Sequence, residues 1–139
     1  MNATPGTTIF NQANNSGQSA CTFTLRNVHT DEALARFIGD EPRYRHWLLE
    51  FVESGPAATG QIRQAITSGS LETAAKLAHG LKGRTGMLGM AELHSIAQTL
   101  EMALRNNEPI LMWLEELERT VGEMVGEISA ILLIRHNEV

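Results

Sequence analysis

The chain has 139 residues, a net charge of −5 and a single cysteine, Cys21. That length holds one domain and a modest tail, and the acidic balance argues against a general nucleic-acid binder, which needs a basic surface to release phosphate counterions. One cysteine excludes an internal disulfide and a thiolate metal cage.

Residues 1–25 are expected to form a flexible tail or linker, because up to Ser19 they hold only Ile9 and Phe10 as bulky apolar residues and cannot bury enough surface to offset ordering. Cys21 to Leu25 alternates weakly, in the manner of a short extended segment with no partner strand. Residues 26–139 are expected to form the folded domain. Thr30 is the expected N-cap of a first short helix, with Asp31 and Glu32 at the positive end of its dipole. Leu34, Phe37 and Ile38 give that helix an apolar face, and Gly39 stops it.

Asp40 then caps a second helix with Pro42 in its first turn. Leu48, Phe51, Val52, Ala58, Ile62, Ala65 and Ile66 recur at helical spacing across Pro56, so one long helix is predicted, kinked or loosened near Gly55 and Pro56. Ser70 is the expected cap of a third helix, from Leu71 to about Leu88, with Ala74, Leu77, Ala78, Leu81, Thr85 and Leu88 on its inner arc. A fourth helix, Ala91 to about Arg105, carries the stripe Leu93, Ile96, Ala97, Leu100, Leu104. A fifth is expected to begin with Pro109 in its first turn and to bury Leu111, Leu114, Leu117, Val121, Met124, Ile128 and Leu132. The predicted architecture is all-α: an antiparallel up-down four-helix bundle preceded by a short additional helix.

On the third helix His79 falls opposite the apolar arc, and Gly83, Gly86 and Met90 fall nearest to it in the following turns. A glycine in a helix interior costs up to ~1 kcal/mol relative to alanine, so these glycines need a cause beyond the helix itself. Between Thr73 and Ala91 there is no acidic residue, while Lys76, Lys82 and Arg84 are all present. An exposed neutral imidazole can attack phosphorus. Lys82, one turn on, is placed to steady phosphoryl oxygens. No nucleotide loop or metal site accompanies them, so the site is suited to holding a phosphoryl group made elsewhere.

The run His79, Gly80, Leu81, Lys82, Gly83, then Gly86, Leu88 and Gly89, followed by Leu93, Leu100 and Glu101, closely resembles the signature of histidine-containing phosphotransfer (HPt) domains. The likeness extends upstream through Asp40, Glu41, Tyr44, Leu48, Phe51 and Ser70 to Ala78, and covers roughly residues 30–105. It implies a four-helix bundle that relays phosphoryl groups to and from the aspartate of response-regulator receiver domains, without kinase activity of its own. His79 is then the phosphoacceptor, Lys82 the stabilising cation, and Gly83 the clearance for a partner. Lys76, Arg84, Gly86, Met87, Met90, Phe37 and Ile38 are the expected partner-binding residues, with a core or gap-filling place as the competing reading for Met87 and Met90. Arg84 and Met87 stand where small or amide residues are common in the family, which bears on the choice of partner.

The resemblance further implies no bound cofactor, with Mg²⁺ supplied by the partner receiver. It implies a cytoplasmic monomer, free-standing or the end domain of a membrane-anchored hybrid sensor kinase, with no nucleic-acid or direct membrane contact. The longest apolar run, Ala130 to Ile134, is far too short to cross a bilayer. Two other readings compete with this one. A helical adaptor would leave His79 incidental. A metal-dependent bundle would use His46, His79 and His94, but no Glu-x-x-His pair is present for it. Glu101 is expected to be a structural partner or a surface charge rather than a catalytic acid.

Overall fold

The computed structural model describes residues 20–134. The expected tail up to Ser19 and the last residues of the chain lie outside that range. The elements are α1 (Thr30–Arg36), α2 (Glu41–Thr67), α3 (Leu71–Met87), α4 (Ala91–Arg105) and α5 (Leu111–Ile128), continued by a π-helical turn, Ser129–Ile134. Helices α2, α3, α4 and α5 pack in sequence, and α5 closes the ring on α2. The predicted four-helix bundle with a short leading helix is the fold, and no strand occurs among the described residues.

The core follows from the apolar stripes. Tyr44, Leu48, Phe51 and Ile62 of α2 meet Leu81 of α3, Leu93 and Leu100 of α4, and Leu114, Leu117 and Ile128 of α5, all fully buried. Helix α2 runs unbroken through Pro56. The Gly55 beside it is buried, and a Cβ there would sit 2.8 Å from the Phe51 ring. Close packing of an aromatic ring therefore explains the glycine better than a hinge does.

Helices α1 to α4 end alike. The second residue past each helix has a left-handed backbone, namely Ile38, Gly69, Gly89 and Asn107. The next amide, that of Gly39, Ser70, Met90 or Glu108, then returns to the carbonyl of Leu34, Ala65, Thr85 or Ala103. This is the Schellman closure, which satisfies carbonyls the helix leaves open.

Several local expectations are corrected by contacts between distant parts of the chain. Thr30 lies inside α1 and is buried, and the N-cap is His29, whose amide bonds the Gly89 carbonyl at 2.9 Å. Asp40 does cap α2, accepting from the Arg43 amide. Ser70 occupies the cap position of α3 but makes no side-chain cap bond. Pro109 precedes α5, whose N-cap is Ile110, and Leu111 is exposed instead of buried.

The described end of the expected tail is packed on the bundle. Leu25 is buried, Phe23 stacks on Tyr44 at 5.9 Å, and the Cys21 amide donates to Asp31. The hydroxyl of Thr22 also bonds the Glu41 carboxylate.

Candidate functional site

Helix α3 shows His79 to solvent because Ala74, Ala75, Ala78, Leu81 and Thr85 take its inner face. The His79 side chain is 62% exposed. Its Nδ1 lies 3.2 and 3.1 Å from the two carboxylate oxygens of Glu101, on α4. A carboxylate only accepts, so Nδ1 carries the proton and donates it to Glu101. In the neutral ring this leaves the lone pair on Nε2, on the side away from α4.

Glu101 is the centre of a network. Lys82 Nζ stands 3.6 Å from Oε1 and Arg105 Nε 3.1 Å from Oε2, and the carboxylate side chain is only 11% exposed. Burial alone would raise the Glu101 carboxyl. The hydrogen bonds from Arg105 and His79, with the charges of His79 and Lys82, outweigh it and hold the group below its ordinary value. Glu101 therefore stays ionised at neutral pH and fixes one ring nitrogen of His79. Its position on the flank of the α4 stripe, directly after Leu100 and one turn after Ala97, was the signal available in the sequence. A glutamate beside a buried arc must have partners.

The other expected site residues divide into three groups. Gly83 faces open space, with nothing within 4 Å of a Cβ built on it, so the surface one turn from His79 is clear. Lys76 is exposed and pairs with Glu72 at 3.8 Å. Arg84, Met87 and Ile38 are exposed, while Phe37 is half-buried against Tyr44 at 5.4 Å.

Two assignments are corrected. A Cβ at Gly86 would lie 2.9 Å from His94 Nδ1. That ring nitrogen is 2.9 Å from the Lys82 carbonyl and donates to it. Gly86 thus makes room for His94 between α3 and α4 rather than for an outside partner. Met90 is fully buried. Helix α3 ends at Met87 and the chain turns at Gly89, φ 83°, so Met90 enters the core instead of continuing the His79 face.

The C-terminal end of α3 is tied down by other elements. Arg36 reaches from α1 to the carbonyls of Gly86 and Met87, and the buried Tyr44 hydroxyl donates to the Leu88 carbonyl at 2.8 Å. The arrangement can present a nucleophilic imidazole nitrogen on a rigid support beside an ammonium group. Among the described residues no cluster of three or more His, Cys, Asp or Glu side chains could hold a metal ion. The histidines of the metal reading are occupied separately: His79 by Glu101, His94 by the Lys82 carbonyl, and His46 edge-on to Trp47 at 5.2 Å. No described helix is long and apolar enough to cross a membrane.

Comparison with known proteins gave no match among curated proteins or solved structures. A family model described as the Hpt domain matches residues 46–131, more than half of the chain, from α2 into the turn after α5, with His79 inside the match. The chain belongs to the Hpt domain family, the histidine-containing phosphotransfer modules of two-component signalling, which interact with response-regulator receiver domains and have in general no kinase activity.

Proposed function

We propose that this chain is a phosphorelay intermediate in which His79 takes a phosphoryl group from a receiver aspartate and passes it to the aspartate of another receiver. The observation that carries this reading is the Glu101 contact, which holds His79 by Nδ1 and leaves Nε2 as the exposed nucleophile. In the accepting step an N–P bond forms at Nε2, the P–O bond to the aspartate breaks, and the carboxylate leaves with the electron pair. The positive charge that develops on the ring is met by Glu101. In the donating step an aspartate oxygen attacks phosphorus and the N–P bond breaks. Because Nδ1 keeps its proton, the imidazole departs neutral. Lys82, now shared with Glu101 at 3.6 Å, is within reach of phosphoryl oxygens on the same helix surface.

The receiver contributes the Mg²⁺ that neutralises charge on the transferring group. The same reading places the domain in the cytoplasm as a monomer, on its own or at the end of a hybrid sensor kinase. Gly83 gives the partner its approach, and the surface formed by Phe37, Ile38, Arg84 and Met87 receives it. Incubation with an aspartate-phosphorylated receiver and Mg²⁺ is expected to leave an acid-labile, alkali-stable phosphate on the protein, and His79→Gln is expected to abolish it. Undiminished labelling of that variant would remove His79 from the reaction. Receiver binding that survives replacement of both His79 and Lys82, with no transfer in the wild type, would favour a helical adaptor.

A further inference from the structure

The four matching helix ends allow an internal comparison. At the ends of α2, α3 and α4 the left-handed position holds Gly69, Gly89 and Asn107, residue types that tolerate it. At the end of α1 it holds Ile38, at φ 58°. A β-branched residue at positive φ is a genuine outlier, since its Cβ substituents crowd the backbone. The core gains nothing in return, for Ile38 is 93% exposed. Backbone strain on a side chain that the fold does not use points to a use outside the fold.

The surroundings of Ile38 say what that use is. Phe37, directly before it, lines an open groove of about 240 Å³ between α2 and the end of α3. Trp47, Phe51 and Met87 line the groove, and Trp47 and Met87 are themselves 41% and 56% exposed. The two walls differ in charge. Glu50, on α2, is already held by the Ser54 hydroxyl at 3.0 Å. Arg84, on α3, has no carboxylate partner among the ion pairs of the described residues. It also lies within the acid-free window from Thr73 to Ala91.

We propose that Ile38 is a strained apolar anchor for the receiver domain that exchanges phosphate with His79, and that Arg84 selects among receivers by charge. The inference rests on the phosphorelay reading and deepens it. The partner it describes has an apolar socket for Ile38, an apolar ridge that fills the groove, and a carboxylate beside that ridge to meet Arg84. Arg84 and Met87 follow His79 on α3 by five and eight residues, so a receiver broad enough to cover the groove also reaches the nucleophile. Apolar anchors concentrate affinity at such surfaces, while charge pairing at the rim governs which partner is accepted and how fast it arrives.

The test uses a panel of Mg²⁺-loaded, aspartate-phosphorylated receivers from the source organism, with kcat and KM for transfer fitted separately and thermal unfolding measured in parallel. Ile38→Gly relieves the strain and removes the anchor. It is expected to raise the melting temperature while raising KM about tenfold, with kcat within about twofold of wild type. Arg84→Glu is expected to raise KM by a similar factor and to weaken the fall in transfer with added salt. Reversal of an acidic residue to Lys on the receiver's docking face should restore transfer to Arg84→Glu. An unchanged KM in both variants, a loss confined to kcat, or a lower melting temperature in Ile38→Gly overturns the proposal. A wild-type protein that takes phosphate from no receiver in the panel would instead overturn the phosphorelay reading beneath it, a result distinct from variants that perform as well as wild type.

Discussion

Both carboxylate oxygens of Glu101 lie within 3.2 Å of Nδ1 of His79, across the α3–α4 interface. The contact fixes the ring's orientation and tautomer together, a role usually filled by an outer partner of a functional histidine. Glu101→Gln is therefore expected to slow phosphoryl transfer by roughly 10- to 100-fold, the range typical for loss of such an orienting partner. Ring ¹⁵N shifts of His79 should show a protonated Nδ1 in the wild type and a mixture of tautomers in the variant. A variant with wild-type rates and an unchanged ring spectrum would reduce Glu101 to a structural ion pair.

The same carboxylate makes stability depend on pH. Glu101 has a folded-state pKa below the ordinary 4.5, so the unfolded chain takes up its proton more readily than the folded one. Its contribution is complete above about pH 4.5 and is lost as the pH falls through the lower folded value. Urea midpoints measured from pH 6 to pH 3 should show a gap between wild type and Glu101→Gln that narrows toward the acid end. A gap independent of pH would contradict the assignment.

Two glycines on α3 should respond in opposite ways to the same change. Gly83 has open space around its missing Cβ, so Gly83→Ala should stabilise the fold by up to ~1 kcal/mol through helix propensity. Its transfer from receivers should fall. At Gly86 the new methyl would meet His94 Nδ1 at 2.9 Å, and Gly86→Ala should cost about 1–2 kcal/mol net as His94 leaves the Lys82 carbonyl. Chemical denaturation of the pair, set beside transfer rates, checks both signs.

Tyr44 is fully buried, and its hydroxyl supplies the bond to the Leu88 carbonyl at the end of α3. Tyr44→Phe should cost about 1–3 kcal/mol, because it leaves that carbonyl without a partner in the interior. Loss of stability within a few tenths of wild type would mean that the carbonyl finds another donor.

Much of this fold was legible because it is written locally. The stripe Leu93, Ile96, Ala97, Leu100, Leu104 is buried along α4, and the Asp40 cap operates as expected. His79 was legible from its position opposite a continuous apolar arc. What could not be read was decided by partners far away in sequence. Thr30 loses the cap position because Gly89 holds His29, and Gly86 answers to His94 rather than to a visitor. Met90 leaves the His79 face because the helix stops before it. Glu101 shows its importance only when α4 lies against α3, since a helical pattern gives the direction of a side chain but not the neighbour it will meet.

The clamp that Arg36 places on the carbonyls of Gly86 and Met87 sets a spacing. It joins the end of α1, which carries Ile38, to the last turn of the helix that carries His79. From His79 to Met87 is eight residues of α3, about 12 Å along the axis at 1.5 Å per residue. Because that interval is rigid helix pinned at its far end, the surface would act as a gauge under the proposed docking: a receiver that seats correctly but carries its aspartate at a different offset would bring its phosphate to the wrong place.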